Sequence, residues 1–412
     1  MLFCAFRKMK QLISATLLAI FALSTPCVAG AAELNAPVDS TPDSGNCRPD
    51  STGVTAFSHP EANPKKDVGL NDADSSWSFR PPRWTVSAET IVFDRVGTAN
   101  RTLVERVPGG VSFAKIPTTP GTPALNSTDL NQGFSPGFRL VVTYHADSKF
   151  GLELSFFRVS GWDSSRSIGP DNPPNWLVMR APGFFQTQDF SYQSMTWDYS
   201  TELYNAEFNV RYNLSRRITV LAGFRWLQLN ENLQGTIPPP DRTLPIWKFD
   251  PNLNLFDVAR IENLPGKPAA AFPPFWNTST TNNLYGLQIG ADGKLFERGR
   301  FSIEGLIKVG GYWNRASEST GVSLEKVVYP TGAKTDRASF VGEAGLQCKY
   351  QFAMGLAVKL GYQALWLYGV ALAPGQIQKT YETGPTSVTA RGVNADSGVL
   401  LHGVTAGLEY SF

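Results

Sequence analysis

The segment Tyr204-Asn-Ala-Glu-Phe-Asn-Val-Arg-Tyr212 alternates apolar and polar residues along its whole length. Because successive side chains of a strand point to opposite sides, the segment predicts a strand with one apolar face and one polar face. A soluble sandwich strand alternates in the same way. Aromatic residues at both ends of the apolar row favour a membrane strand, since eight steps cover roughly 26 Å along the strand, or about 20 Å across a bilayer at a 40° tilt.

The same alternation predicts ten strands in all, or twelve if residues 95–135 contain a further hairpin. The predicted strands lie near 83–94, 136–146, 149–159, 197–213, 216–230, 282–295, 299–314, 337–351, 355–368 and 399–412.

The connections between these strands alternate in length. Short turns are predicted at 146–148, 213–215, 296–298 and 351–353, and long loops at about 95–135, 160–196, 231–281, 315–336 and 369–398. Outer-membrane barrels have short turns at the periplasmic end and long loops at the outer end. In a soluble all-β domain, nothing requires that all long loops lie at one end of the sheet. The sequence therefore predicts an all-β fold, a transmembrane antiparallel up-and-down β-barrel over residues 81–412.

Composition excludes several classes of protein. Of the 412 residues, 42% are hydrophobic and 17% are charged, against about 25% charged in average soluble domains. Beyond the N-terminus no run of 18 apolar residues offers a transmembrane helix. A helical membrane protein and a charge-rich nucleic-acid binder are both disfavoured, and no nucleic-acid partner is expected.

The N-terminus has the pattern of an export signal. Residues 1–31 combine a basic start (Arg7, Lys8, Lys10), an apolar core over 12–23 and a small-residue exit at 29–31. Residues 32–80 are rich in Ser, Pro, Asp, Asn and Gly, and we expect a disordered, flexible periplasmic leader. Removing the signal leaves 34 of the 37 basic residues, against 35 acidic residues. The expected net charge of −1 gives no argument for a polyanionic partner.

The C-terminal octet Thr405-Ala-Gly-Leu-Glu-Tyr-Ser-Phe412 resembles the assembly signal of outer-membrane barrels. Its pattern lies in Thr405, Gly407, Tyr410 and Phe412, with Leu408 on the lipid face. An assembly factor can read such an edge strand by strand addition. We therefore expect the barrel-assembly machinery and outer-membrane lipids as partners.

Three segments resemble a known family. Residues 201–234, 283–314 and 360–377 are similar to the β-barrel porin family numbered seven, which is common in planctomycetes. The resemblance covers roughly residues 83–412, more loosely in the first half, and its motifs are structural. It implies an outer-membrane barrel, but a name given on fold does not establish transport.

If the apolar rows face lipid, the opposite rows line the barrel interior with charged residues. Seven acidic and seven basic residues give this interior no net charge; they are Glu89, Glu153, Glu207, Asp292, Glu304, Glu343, Glu409, Arg139, Arg211, Arg225, Lys294, Lys308, Lys349 and Lys359. Inward glycines such as Gly403 and Gly407 either leave water-filled gaps or relieve crowding in a tightly curved sheet.

Motifs for catalysis and for metal or cofactor binding are weak. His402 has lipid-facing parity near the outer end of its strand, where a lipid-modifying enzyme centred on it would need a serine such as Ser339 or Ser397. A histidine at the membrane interface explains the same position, so no enzyme, metal or cofactor is predicted.

The apolar, Pro-rich stretch 231–281 suggests a packed loop, with a constriction of the barrel mouth and a partner contact as alternatives.

These observations favour a porin-like passive channel for ions or small polar solutes. Ten strands lie near the size at which side chains fill a barrel, so the alternative is a closed structural barrel, or one that binds partners through its surface loops. The sequence leaves the oligomeric state open.

Overall fold

The computed structural model describes residues 82–97, 99–107, 121–169, 176–179, 191–192, 194–236, 243–250, 255–263, 276–324, 327–377, 380–384, 387–390 and 392–412. The predicted signal (1–31) and leader (32–80) lie outside these residues. Ten long strands dominate the described part: β1 Trp84–Val96, β2 Phe134–His145, β3 Phe150–Ile168, β4 Met195–Asn213, β5 Ile218–Thr236, β6 Trp276–Arg298, β7 Phe301–Leu324, β8 Val327–Ala353, β9 Leu356–Val370 and β10 Ser397–Ser411.

The ten strands form one closed antiparallel barrel in which every strand pairs with its neighbours in sequence. Twelve residue pairs between β1 and β10, from Thr85↔Ser411 to Val96↔Leu400, close the cylinder. The prediction of an all-β up-and-down barrel of ten strands is confirmed.

The two ends of the barrel differ. The end with the short turns, between β2–β3, β4–β5, β6–β7 and β8–β9, is called the turn end, and the opposite end is called the loop end.

An apolar belt surrounds the outside of the barrel. Large apolar side chains that would normally be buried are 36–71% exposed on the outward parity of the strands. Aromatic residues lie at both margins of this belt. Its members include Phe138, Leu140, Leu154, Phe208, Phe224, Leu287, Ile289, Ile307 and Leu360, with Tyr285, Trp313 and Trp366 towards the loop end and Phe150, Tyr350, Tyr410 and Phe412 towards the turn end.

The strands continue well past the belt at the loop end. β7 and β8 remain paired to Leu324↔Val327, so the prediction of a long loop over 315–336 is wrong. The outward residues of this extension, such as Ser317, Lys334 and Asp336, are polar, and therefore no apolar row marks the strand. For the same reason β3, β5 and β6 extend into segments that were predicted to be loops.

A bulge in β3 reverses the orientation of its side chains. The register shifts between Ser160 and Trp162, and Gly161 between them has a φ of +95°, a conformation that glycine adopts without steric cost. Before the bulge the even-numbered residues point outward, whereas after it Trp162 is fully buried and Asp163 is exposed. Bulges of this kind change the direction of a strand and the aim of its side chains.

Smaller sheets are separate from the barrel sheet. Strands Thr102–Val107 and Thr122–Asn126 belong to a separate four-stranded sheet with Trp176–Val178 and Ser191–Tyr192. The alternative of twelve barrel strands is therefore wrong. Strands Thr243–Asp250 and Leu255–Asn263 pair with each other within the 231–281 stretch.

None of the helices in the described residues is long and apolar enough to cross a membrane.

The turns at the turn end are fixed by short side chains. Asp147 Oδ1 accepts hydrogen bonds from the backbone N–H groups of Phe150 (2.7 Å) and Lys149 (2.6 Å). These two hydrogen bonds hold the pKa of the exposed Asp147 carboxyl below its usual value, and the bond from Phe150 has the larger effect. Ser215 Oγ accepts from the N–H groups of Arg217 and Ile218 in the β4–β5 turn.

The β1–β10 seam depends on an inward glycine. A Cβ atom on Gly403 would lie 2.0 Å from the carbonyl oxygen of Val92, whereas one on Gly311 would meet nothing within 4 Å. We predict that Gly403→Ala lowers the free energy of unfolding by about 1–3 kcal/mol through overpacking, and that Gly311→Ala leaves it nearly unchanged. Urea unfolding of both variants in the same detergent checks this, and equal midpoints would contradict the seam geometry.

Candidate functional site

Four charged residues from four strands meet inside the barrel, and we call them the central layer: Glu207 (β4), Arg225 (β5), Lys308 (β7) and Glu343 (β8). Glu207 and Arg225 are direct cross-strand partners, as are Lys308 and Glu343. The two pairs are joined across the interior, because Lys308 Nζ lies 2.8 Å from Glu207 Oε2 and Arg225 Nη1 lies 2.8 Å from Glu343 Oε2. The layer has no net charge.

Amide side chains complete the hydrogen bonds of the two carboxylates. Gln288 donates to Glu207 Oε2 at 2.8 Å, and Asn205 donates to its Oε1 at 3.0 Å. Gln363 donates to Glu343 Oε1 at 2.7 Å. Burying a charge is costly unless it is paired and hydrogen-bonded, and here every carboxylate oxygen of the layer has a partner. The side chains of Arg225 and Glu207 are only 1% and 2% exposed.

Below the central layer, two further groups of ion pairs lie towards the turn end. In one, Arg211 pairs with both Glu153 and Asp292. In the other, Glu89 pairs with Lys359 at 2.7 Å and with Arg139 at 3.5 Å, and Glu409 pairs with Lys359 and Lys349.

The interior becomes more open towards the turn end. Arg211 is 21% exposed, Lys349 is 26% exposed, and Lys294 pairs with Glu297 of the turn at 40% exposure. Glu304 accepts a hydrogen bond from Ser302 at 3.2 Å and, with Lys294 and Lys349, lines a small cavity of about 80 Å³. The structure therefore brings most of the fourteen sequence-predicted residues into two connected levels, and places Lys294 at the rim.

Above the central layer the interior is apolar. Inward side chains from most of the strands pack into one buried cluster that includes Ile91, Phe93, Phe157, Leu203, Leu227, Leu229, Leu284, Leu365, Leu367 and Leu401. The inward glycines do not leave gaps here or below, since a Cβ on Gly407 would lie 2.3 Å from the carbonyl oxygen of Ala88, and Tyr312 covers Gly286. Crowding accounts for most of these glycines, whereas a Cβ on Gly345 would make only ordinary contacts of 3.6 Å or more.

The end of β9 and the segment after it fill the mouth of this apolar interior, and we call residues 369–377 the plug. Its residues from Val370 to Gln376 are buried, including the short helix Ala373–Gln376. Asn282 clamps the plug backbone by donating to the carbonyl of Ala371 (2.8 Å) and accepting from its N–H (2.7 Å).

Other wall residues hold the two ends of the plug. Ser339 and Asn314 donate to the carbonyl of Gly369 at 2.7 and 3.0 Å. Glu231 accepts from the N–H of Ala373 at 2.8 Å and also pairs with Arg95. The plug is therefore attached directly to β5, β6, β7 and β8, and Arg95 of β1 supports it through Glu231.

Sequence reasoning missed the plug and its anchors. Glu231 and Arg95 were assigned to loops, and the amides Asn282 and Asn314 carry no charge to mark them. Two signals were present: Asn282 and Asn314 have inward parity, and the stretch 370–377 is apolar although it follows a predicted membrane strand.

The predicted C-terminal signal lies on the closing seam. Thr405 and Gly407 point inward, whereas Tyr410 and Phe412 are 43% and 45% exposed and stack at 5.5 Å between ring centroids. Phe412 exchanges backbone hydrogen bonds with Trp84.

His402 does not meet the serines that were considered with it. Its Nδ1 is hydrogen-bonded to Tyr362 Oη at 2.7 Å on the outer face. Ser339 points inward to the plug, and Ser397 lies five residues away on the same strand, roughly 16 Å at the usual rise. Within the described residues, no group of three or more His, Cys, Asp or Glu side chains is placed to hold a metal ion.

The central layer gives a stability prediction. Lys308→Met leaves Glu207 and Glu343 with one cation between them, and breaking a buried pair in this way costs about 3–5 kcal/mol. The double variant Glu207→Gln/Lys308→Met removes one charge of each sign and should cost less than the single variant. Lys294→Met, at an exposed pair, should cost less than about 1 kcal/mol. Urea midpoints check the order, and a double variant less stable than Lys308→Met would contradict it.

Comparison with known proteins gives weak likenesses. No protein-family model and no curated protein matches the chain. Among solved structures, the outer membrane protease OmpT from Escherichia coli is 10% identical, with 82% of this chain and 99% of that chain covered and a TM-score of 0.41. A second likeness is to the translocator domain of the autotransporter NalP from Neisseria meningitidis, which is 8% identical, with 81% of this chain and 90% of that chain covered and a TM-score of 0.32. A third is to the Ralstonia pickettii toluene transporter TbuX, which is 9% identical, with 81% of this chain and 90% of that chain covered and a TM-score of 0.29. At such values, no activity is argued from any of them.

Proposed function

We propose that the protein is an outer-membrane β-barrel whose interior is closed by its own side chains and by the plug. The exposed apolar belt supports the membrane location, because a water-soluble barrel has no reason to expose a continuous band of Leu, Ile and Phe. The aromatic margins fit the two membrane–water interfaces. The turn end then faces the periplasm and the loop end faces outside.

Several finer points belong to the same proposal. A cleaved signal over 1–31 and a periplasmic leader over 32–80 would deliver the chain, and the barrel-assembly machinery would read its last strand through Tyr410 and Phe412. Membership of the β-barrel porin family numbered seven is supported by the segments 201–234, 283–314 and 360–377. The proposal assigns no catalytic role.

The observation that carries the closed barrel is the continuity of its packing. From the central layer upward, charged residues, the apolar cluster and the plug occupy the interior in succession, and the side chains that face inward are almost completely buried. A solute crossing the barrel would have to displace the plug, pass through the apolar cluster and separate the two pairs of the central layer. The role that fits this arrangement is a stable envelope barrel that presents its long connections at the cell surface.

A passive channel is the second candidate, and one observation favours it. The lower third of the interior is lined by partly exposed charges of both signs around the cavity at Glu304 and Lys349. Such a vestibule would serve small ions or polar solutes once the plug, the apolar cluster and the central layer had moved apart, and its balanced charge would give weak ion selectivity.

Single-channel recording in planar bilayers separates these two candidates. We predict that the folded wild-type protein gives no conductance steps. A variant in which residues 371–377 are replaced by a Gly-Ser linker, the central layer by four serines and the leucines of the apolar cluster by alanine should conduct, because all three barriers are then removed. Each of these changes made alone should stay silent, since the other two barriers remain.

Heat-modifiable migration on gels establishes that every variant is folded before recording. Discrete steps from the wild-type protein would contradict the closed barrel and support the channel. Silence of the combined, folded variant would show that something besides these three barriers blocks the interior.

A further inference from the structure

Four exposed arginines lie at the turn end, in or beside two neighbouring turns. Arg216 and Arg217 occupy the β4–β5 turn, Arg298 is the last residue of β6, and Arg300 occupies the β6–β7 turn. All four are exposed, and none forms an ion pair within the described part of the chain. The two turns are neighbours, because β5 pairs with β6 as far as Ile218↔Gly293 and Lys294 N–H donates to the carbonyl of Arg217 at 2.8 Å. We call these four residues the arginine rim.

The nearby carboxylates are already engaged. Glu297 accepts a hydrogen bond from Lys294 Nζ at 2.7 Å, and Arg217 interacts with the same carboxylate at longer range. Asp147 of the adjacent turn accepts two backbone N–H groups. The rim therefore keeps a local excess of positive charge, although the interior beside it is balanced.

Exposed apolar side chains flank each arginine pair. Leu214 and Ile218, on either side of Arg216 and Arg217, are 63% and 46% exposed. Phe296 and Phe301, on either side of Arg298 and Arg300, are 48% and 37% exposed. The guanidinium groups are thus attached at the margin of the apolar belt, which is the level at which lipid phosphates lie if the belt faces hydrocarbon.

The rim covers one side of the turn end only. The β8–β9 turn, residues 351–355, carries no charged residue and exposes Phe352 and Met354. Positive charge at this level is consequently densest on the β4–β7 side, which carries the four arginines, whereas the β1–β3 side exposes two cations, Arg83 and Lys149.

We propose that the arginine rim binds the phosphate headgroups of anionic phospholipids in the leaflet at the turn end. Arginine recognises phosphate through a planar fork of N–H donors, and basic side chains beside a membrane attract anionic lipid. The rim adjoins the apolar belt, and its positive charge is complementary to phosphate. These two features together identify a lipid headgroup as the ligand. This inference rests on the proposed membrane location and adds the lipid class that the barrel selects.

Lipid selectivity measured by electron spin resonance tests the inference. The full-length protein is placed in phosphatidylcholine bilayers containing either spin-labelled phosphatidylglycerol or spin-labelled phosphatidylcholine, and the immobilised fraction of each label is compared. We expect phosphatidylglycerol to be favoured about two- to threefold. The selectivity should approach one in the variant Arg216→Gln/Arg217→Gln/Arg298→Gln/Arg300→Gln and in 1 M salt, which screens the charges.

The matched control is Arg315→Gln/Lys334→Gln, which removes two exposed cations at the loop end and should keep most of the selectivity. Inorganic phosphate at constant ionic strength should not compete; full competition would indicate a site for free phosphate and overturn the lipid assignment. Immobilised lipid without selectivity in the wild-type protein, or selectivity that survives in the quadruple variant, would also overturn it. If neither label is immobilised, the membrane location itself fails.

Discussion

Closure of a ten-stranded sheet is the constraint on which the rest of this molecule depends. Pairing β1 with β10 leaves the ten barrel strands without a free edge, so their backbone hydrogen bonds are satisfied within the sheet. A cylinder of so few strands has a narrow interior, close to the size that side chains can fill. The inward glycines at the seam, such as Gly403 and Gly407, bring neighbouring strands and side chains into van der Waals contact there.

The way in which the interior is filled changes along the barrel axis. The central layer buries four charges, and such an arrangement contributes little net stability compared with an apolar core, whereas loss of one partner is severe. Its geometry joins strands that are not neighbours, Glu207 to Lys308 and Arg225 to Glu343. These cross-lumen pairs fix the relative register of β4, β5, β7 and β8 in a way that non-directional apolar packing does not. Above them, packing of Leu and Phe around the plug takes over.

Much of this architecture could be predicted from alternation alone, because a two-residue period reports directly which side chains share a face. The strands within the belt and the parity of Glu207, Arg225 and Lys308 follow from it. Beyond the belt the outside is wetted by water, so outward residues such as Ser317 are polar and the signal disappears. The bulge at Gly161 reverses parity within one residue. The plug depends on contacts between residues far apart in sequence, such as Asn282 and Ala371, which periodicity does not encode.

The account requires hydrocarbon outside the belt and dry protein inside. Nuclear magnetic resonance of methyl-labelled protein in lipid nanodiscs measures both through cross-relaxation. We expect transfer from lipid chains to the methyl groups of Leu287, Ile307 and Leu360, and no transfer from lipid or water to those of Leu203, Leu227 and Leu365. Water cross-peaks at the second group would contradict a filled barrel, and absent lipid cross-peaks at the first would contradict a membrane-facing belt.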